Sequence, residues 1–198
     1  MGIILKMKKD WKCQTMRVIA GKHKSKQLNT LEGRNTRPTM DKVKEGIFNS
    51  LHDVQGIGLD LFAGSGGLGI EALSRGMDKM IFVDQNYGAI KIIRQNISKL
   101  HLESQTEVYK NNADRALKAL SKRDIQFDII FLDPPYEKGL IDKALERIKV
   151  FDLLKNNGII VCEFSHRESI KIDGFKEIKR YHYGLTDTCL LEKGDSHG

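Results

Sequence analysis

Apolar and polar positions along this chain alternate between two periods. From Ile57 onward, short apolar runs of strand length are followed by segments whose apolar residues recur at helical spacing. That alternation predicts an α/β fold with a doubly wound, mostly parallel sheet. Strands are expected over Ile57–Phe62, Lys79–Val83, Thr106–Tyr109, Phe127–Leu132 and Gly158–Glu163, and helices over Gly67–Arg75, Tyr87–Leu100, Arg115–Leu120 and Leu140–Val150. Ile90, Ile93, Ile97 and Leu100 form the buried stripe of the helix after the second strand. Phe175–Tyr183 and Thr186–Glu192 read as a terminal antiparallel pair about a turn at Gly184.

The first part of the chain follows neither period for long. Residues 1–15 precede a second methionine, Met16, and read as an extension or loosely ordered tail. Met16–Ala20 and Gln27–Leu28 flank Gly-Lys-His-Lys-Ser-Lys, a small hairpin with a very basic tip. Two short strands bury no core alone, so this arm must pack on the main domain or order itself on a partner. A polar loop over residues 33–39 places Thr39 as the N-cap of a helix from Met40 to Leu51. On that helix Val43, Ile47, Phe48 and Leu51 share the inner face, and Lys42, Lys44 and Glu45 look outward. The chain thus divides into an extension (1–15), a basic arm and loop (16–39) and one main domain (40–198).

Charge sharpens that division. The net charge of the 198 residues is +7, yet residues 1–50 hold 12 Lys+Arg against 4 Asp+Glu while residues 51–198 hold 21 against 22. A basic arm on a near-neutral body suits a polyanionic partner, because phosphate neutralisation supplies most sequence-independent affinity for nucleic acid. A merely solvated lysine-rich terminus explains the same count. Cys13, Cys162 and Cys189 are odd in number and widely spaced, which argues against a disulfide framework or a zinc site and for a reducing compartment. The six histidines show no metal spacing. The apolar run Ile3–Leu5 is far too short for a signal-peptide core or a membrane span, so a soluble cytoplasmic protein is expected.

Two stretches carry candidate chemistry. Phe127–Leu132 runs into Asp133-Pro134-Pro135-Tyr136, which holds a carboxylate and a ring on a stiff loop at the carboxyl end of a strand, where open α/β sheets bind ligands. The other is Asp60-Leu61-Phe62-Ala63-Gly64-Ser65-Gly66-Gly67-Leu68-Gly69, a glycine-rich turn that opens a helix. Gly64, Gly66 and Gly69 match G-x-G-x-x-G with Asp84 twenty residues beyond Gly64, as in a dinucleotide site. A pyrophosphate would need the helix N-terminus, whereas Asp60 suits a cation such as the amino group and sulfonium of S-adenosylmethionine. Asp84 can take ribose hydroxyls in either case, and the turn Asn111–Asp114 is placed to border an adenine. Each stretch also has a plain structural reading, as a strand-to-helix turn and as a strand terminator.

With these motifs in this order, the chain resembles the Rossmann-like S-adenosylmethionine-dependent methyltransferases of exocyclic amino nitrogens. Arg17-Val18-Ile19-Ala20-Gly21-Lys22, Thr36-Arg37-Pro38-Thr39, Val43-Lys44-Glu45 and Gly69-x-Glu71-Ala72-Leu73-Ser74-Arg75-Gly76 extend the resemblance to the bacterial 16S ribosomal RNA guanine-N2 methyltransferases of the small subunit. The resemblance implies a Rossmann-like sheet with an antiparallel C-terminal strand, S-adenosyl-L-methionine as cofactor, and 16S rRNA in an assembling small subunit as partner. It implies that Asp60, Phe62, Ala63, Gly64, Ser65 and Gly66 line the methionine side of the cofactor. Asp84 would hold the ribose, Asn112 and Ala113 would border the adenine, and Asp133, Pro134, Pro135 and Tyr136 would receive the target base. Arg17, Lys22, Lys24, Lys26 and Arg37 are the RNA-binding candidates, although for Arg37 an ordinary surface role is as good a reading. Gly67 departs from the alanine common in that family and should slightly loosen the turn.

Asp133 and the Pro134 carbonyl are expected to orient the target amino group, and Tyr136 to stack on an extruded base. The same chemistry on adenine N6 in DNA or on a protein amide stays open, as does a nicotinamide oxidoreductase or a non-catalytic RNA-binding assembly factor. The basic arm and Asp133, where protein-amide enzymes usually have asparagine, favour RNA. The chain has no long target-recognition insertion of the DNA-enzyme kind. No membrane or metal is expected, and oligomeric state is not readable.

Overall fold

The structure is a computed structural model that describes residues 16–31, 38–51, 54–135 and 139–194. Two short strands, β1 (Met16–Arg17) and β2 (Gln27–Leu28), form the hairpin arm. Helix α1 (Pro38–Ser50) leads into β3 (Ile57–Asp60), α2 (Gly67–Arg75), β4 (Lys79–Asp84), α3 (Tyr87–Leu100), β5 (Thr106–Lys110), α4 (Ala113–Leu120), β6 (Phe127–Leu132) and α5 (Leu140–Val150). The long β7 (Leu154–Ser165) precedes β8 (Phe175–Tyr183) and β9 (Thr186–Lys193).

The main sheet has seven strands in the order β5-β4-β3-β6-β7-β9-β8. Pairing is parallel from β5 to β7 and antiparallel at β7–β9 and β9–β8. The last strand inserts between β7 and β8, which makes the terminal pair part of the sheet's hydrogen-bonded body. The chain starts in the middle at β3, winds outward through β4 and β5, then crosses back to β6, so the order reverses between β3 and β6. Such a reversal opens a crevice at the carboxyl ends of the strands. Leu59, Ile81, Ile130 and Ile160 are wholly buried on the face covered by α4 and α5, and Met80, Phe82 and Phe131 on the face covered by α1, α2 and α3.

The arm is built into the second of these faces. Val18 and Leu28 are each 1% exposed. Gly21, at φ +81°, lies so close to α2 that a Cβ there would stand 1.8 Å from the Ser74 carbonyl oxygen. Only glycine allows both that φ and that approach, which brings the Lys22 N–H to the Ser74 carbonyl at 2.7 Å. Gly67 also serves the arm, because a Cβ on it would meet Met16 Sδ at 2.4 Å.

Two expectations for α1 are corrected. The helix begins at Pro38, so Thr39 lies inside it and is not its N-cap. Proline suits the first helical position because the N–H it lacks would have no partner there. Lys44 does not face solvent: it is 4% exposed and donates through Nζ to the Arg17 carbonyl at 2.7 Å. Arm packing converts an outward position of the isolated helix into an interior one. Smaller differences are ladder effects, with β3 ending at Asp60, β7 beginning at Leu154 and α4 at Ala113. Cys162 and Cys189 are free, buried and opposite one another across β7–β9, while Cys13 lies outside the described residues. Among the described residues, no helix is long and apolar enough to cross a membrane.

Candidate active site

Burial forces the turn after β3 into a shape dictated by its hydrogen bonds. The Leu61 N–H donates to the Phe131 carbonyl at 3.2 Å and the Ala63 N–H to the Val83 carbonyl at 3.0 Å, which ties the turn to β6 and β4. Gly64 and Gly66, at φ 55° and 80°, then reverse the chain into α2. Asp84, at the end of β4, accepts from the Gly64 N–H at 2.9 Å through Oδ2 and from the Asn86 N–H at 2.8 Å through Oδ1. Its carboxylate is thereby aimed by backbone donors on both sides.

These strand ends open on a cleft of 910 Å³. Phe62, Gly64, Asp84, Asn112, Ala113, Asp133 and Pro135 line it, bringing the ends of β3, β4 and β6 and the start of α4 to one space. Asn112 caps α4 through Oδ1, which accepts from the Arg115 N–H at 2.9 Å. Asp60, Ala63, Ser65 and Gly66 lie behind the cleft wall, with Asp60 2% exposed. Pro134 lines a neighbouring hollow of 250 Å³ that meets the cleft at Pro135 and Leu140. Tyr136 and Arg37 lie outside the described residues.

Asp60 bears on what the cleft can bind. Its Oδ2 accepts from the Gly69 N–H at 3.1 Å, within the first turn of α2. Burial pushes its carboxyl up to about 7, against that N–H and with help from the Asp84 charge. The helix N-terminus, where a pyrophosphate would need free donors and positive potential, already holds the chain's own carboxyl group. The donor set around the cleft suits a cationic, ribose-bearing ligand and disfavours a dinucleotide.

Sequence patterning missed part of the wall. Leu31 at the end of the arm, Asn86 before α3, and Lys143, Glu146 and Arg147 on α5 also line the cleft. Nothing in their spacing marks them, because α5 faces the cleft with its polar side. Arg147 Nε donates to Asp114 at 2.7 Å, closing the wall between α4 and α5. Asn96, wholly buried, donates through Nδ2 to the carbonyls of Asn29 and Ser65, each at 3.0 Å, so one side chain holds both the arm and the glycine turn.

Of the RNA-binding candidates, Arg17, Lys22, Lys24 and Lys26 do not line the cleft. Lys22, Lys24 and Lys26 are exposed at the hairpin tip, and Arg17 pairs with Asp41 at 3.2 Å. Separately, the fold gathers His166, His182 and Asp187, whose spacing in the chain suggests no common site, with candidate ligand atoms within 4.8 Å of one another. His182 Nδ1 lies 2.5 Å from Asp187 Oδ1, and Arg180 shares the same carboxylate at 3.5 Å. Burial alone would raise the Asp187 carboxyl, but His182 and His166 hold it below its ordinary value. This cluster does not line the cleft.

Comparison with known proteins agrees with this architecture. A Bacillus subtilis protein named as a candidate rRNA methyltransferase, YlbH, is 43% identical over 182 residues, covering 90% of this chain and 99% of its own. The ribosomal RNA small subunit methyltransferase D of Haemophilus influenzae is 34% identical over 150 residues, covering 75% of this chain and 78% of its own. The solved structure of an Escherichia coli protein described as a candidate methyltransferase, yhhF, superposes with a TM-score of 0.78 at 25% identity, over 90% of this chain and 98% of that one. Residues 16–192 match the family described as Conserved hypothetical protein 95, and the chain belongs to this family, the methyltransferase D-like group of the Rossmann-like S-adenosylmethionine-dependent methyltransferases.

Proposed function

We propose that this protein methylates the exocyclic N2 amino group of a guanine in the 16S rRNA of the small ribosomal subunit, using S-adenosyl-L-methionine. The observation that carries the reading is one cleft lined by Phe62, Gly64, Asp84 and Asp133 from the ends of β3, β4 and β6, with the buried Asp60 carboxyl at the α2 N-terminus behind it. The relatives' names, which speak of rRNA and of the small subunit, support the substrate class.

S-adenosylmethionine supplies a methyl group already activated on a sulfonium. Phe62, Gly64, Asp84, Asn112 and Ala113 would hold it along the cleft, with Asp60, Ala63, Ser65 and Gly66 shaping the turn behind them. The N2 nitrogen of guanine is planar and weakly nucleophilic, because its lone pair is delocalised into the ring. Asp133 and the Pro134 carbonyl accept its two hydrogens, which turns the lone pair out of the ring plane and fixes its direction. Asp133 acts as an orienting acceptor more than as a strong base, since the proton becomes acidic only once the nitrogen has gained its new bond. Tyr136 offers a stacking face worth about 1–3 kcal/mol, comparable to the few kcal/mol that unstacking a base costs. The exposed lysines of the arm would contact phosphate, and Leu31 leads from the arm to the cleft.

The test is tritiated methyl transfer to small subunits from a strain lacking the gene, followed by mapping of the labelled base. Label at guanine N2 is expected, and label confined to DNA, protein or adenine overturns the reading. Asp133→Ala should abolish transfer while S-adenosylhomocysteine still binds by calorimetry.

A further inference from the structure

We infer that Glu163 is a second base-reading carboxylate, which accepts the N1–H of the target guanine beside Asp133 and so selects guanine over adenine; this rests on the proposed function. The parallel ladder between β6 and β7 pairs Phe131 with Val161 and ends with Leu132 opposite Cys162, and the same register carried one step past the end of β6 would bring Asp133 to the level of Glu163. Phe131 and Val161 pack in the core on the α1 side of the sheet, and side chains two residues on along each strand return to that same side. Glu163 also lines the 250 Å³ hollow with Pro134 and Pro135, which joins the cleft at Pro135.

An ionised carboxylate only accepts hydrogen bonds. Each carboxylate has about four acceptor sites, so beyond the interactions that Asp133 and Glu163 make within the protein the two suit a base edge that presents donors on adjacent atoms. Guanine does so with its N1–H and its 2-amino group. Adenine and cytosine present an amino group next to an unprotonated ring nitrogen, whose lone pair would face the second carboxylate. Asp133 alone therefore reads an amino group, whereas Asp133 with Glu163 reads guanine.

One further feature fits this role. Thr188 lies directly opposite Glu163 across β7–β9, and its Oγ1, wholly buried, has no hydrogen-bond partner. Directly paired residues on one face hold their Cβ atoms about 4.5–5.5 Å apart. The Thr188 hydroxyl makes no hydrogen bond in this structure, and a turn of the Glu163 side chain toward it on base binding would give it one.

The experiment uses small subunits reconstituted with 16S RNA that carries either guanine or 2,6-diaminopurine at the mapped position. Diaminopurine keeps the 2-amino group but has an unprotonated N1. The wild-type enzyme should prefer guanine. Glu163→Gln, whose amide can donate to that N1, should lose roughly 10- to 150-fold in kcat/KM on guanine and shift the preference toward diaminopurine, with S-adenosylhomocysteine binding unchanged. An unchanged guanine-to-diaminopurine ratio in Glu163→Gln overturns the inference. So does an equal loss on both bases, or a lowered Tm with loss of cofactor binding, either of which makes Glu163 part of the scaffold. Failure of the underlying function looks different, because the wild-type enzyme would then place no label on guanine.

Discussion

Glu71 and Asp60 are both carboxyl groups held out of water at α2, yet their surroundings differ sharply. Glu71, wholly buried, accepts the Ile19 and Ala20 N–H groups at 2.8 and 3.0 Å, takes Arg75 Nε at 2.8 Å, and has Lys44 Nζ at 3.5 Å. Asp60 has the Gly69 N–H and a neighbouring negative charge, and its carboxyl is raised to about 7. The first is saturated by its own chain and locks the arm to the domain. The second takes the Gly69 N–H behind the cleft wall, where under the proposed function its charge would favour a positively charged ligand in the cleft. Burial alone does not separate the two acids; the count of donors does.

The largest effect should come from Glu71. Glu71→Ala strands two backbone donors and two cations in the interior and should cost about 3–5 kcal/mol in urea unfolding. It should also open the arm to proteolysis ahead of the sheet. A loss under about 1 kcal/mol would mean that the arm is held by Val18 and Leu28 and by its bonds to Ser74, Lys44 and Asn96, without need of Glu71.

Asp60→Asn should alter how stability depends on pH. The native carboxyl titrates near 7 and the unfolded one near 3.8, so the native state holds its proton more tightly. Stability from this group is complete below the unfolded value and is lost as pH rises through about 7. The advantage of wild type over Asp60→Asn should shrink by a few kcal/mol between about pH 4 and 8. S-adenosylmethionine should bind the wild type more tightly as Asp60 ionises, and Asp60→Asn should flatten that dependence. Parallel curves for the two proteins would put Asp60 in the saturated class with Glu71.

Substituting Lys22, Lys24 and Lys26 by alanine removes exposed charge and leaves the Glu71 anchor in place. RNA affinity should fall and the salt slope should flatten by about 2–3. An unchanged slope would leave the arm an anchored element with no role in RNA binding. The smallest effect should be at Thr188, a buried polar group without a partner. Thr188→Val should raise stability by about 1 kcal/mol, read as a higher Tm; a lower Tm would show that the hydroxyl is satisfied.

Much of the fold was legible because period and punctuation are local properties. Gly67–Arg75, Tyr87–Leu100, Phe127–Leu132 and Leu140–Val150 form with the predicted bounds. Phe62, Gly64, Asp84, Asn112 and Asp133 converge on one cleft because each sits at a strand end or helix start, where a doubly wound sheet collects its loops. Lys44, Glu71 and Asn96 were not legible. Each sits on a helix whose outward or inward face is set by the arm packed against it.

The sequence by itself determined the alternation of strand and helix, the glycine turn, the acid before two prolines and the basic arm, since each follows from residue type within a few positions. Only the tertiary structure decided that Lys44 turns inward, that Asp60 caps α2 from behind the cleft, and that Glu71 binds the arm. Those outcomes depend on which segments, far apart in the chain, compete for the same buried donors. That competition is settled by sheet register and packing, which no local pattern encodes.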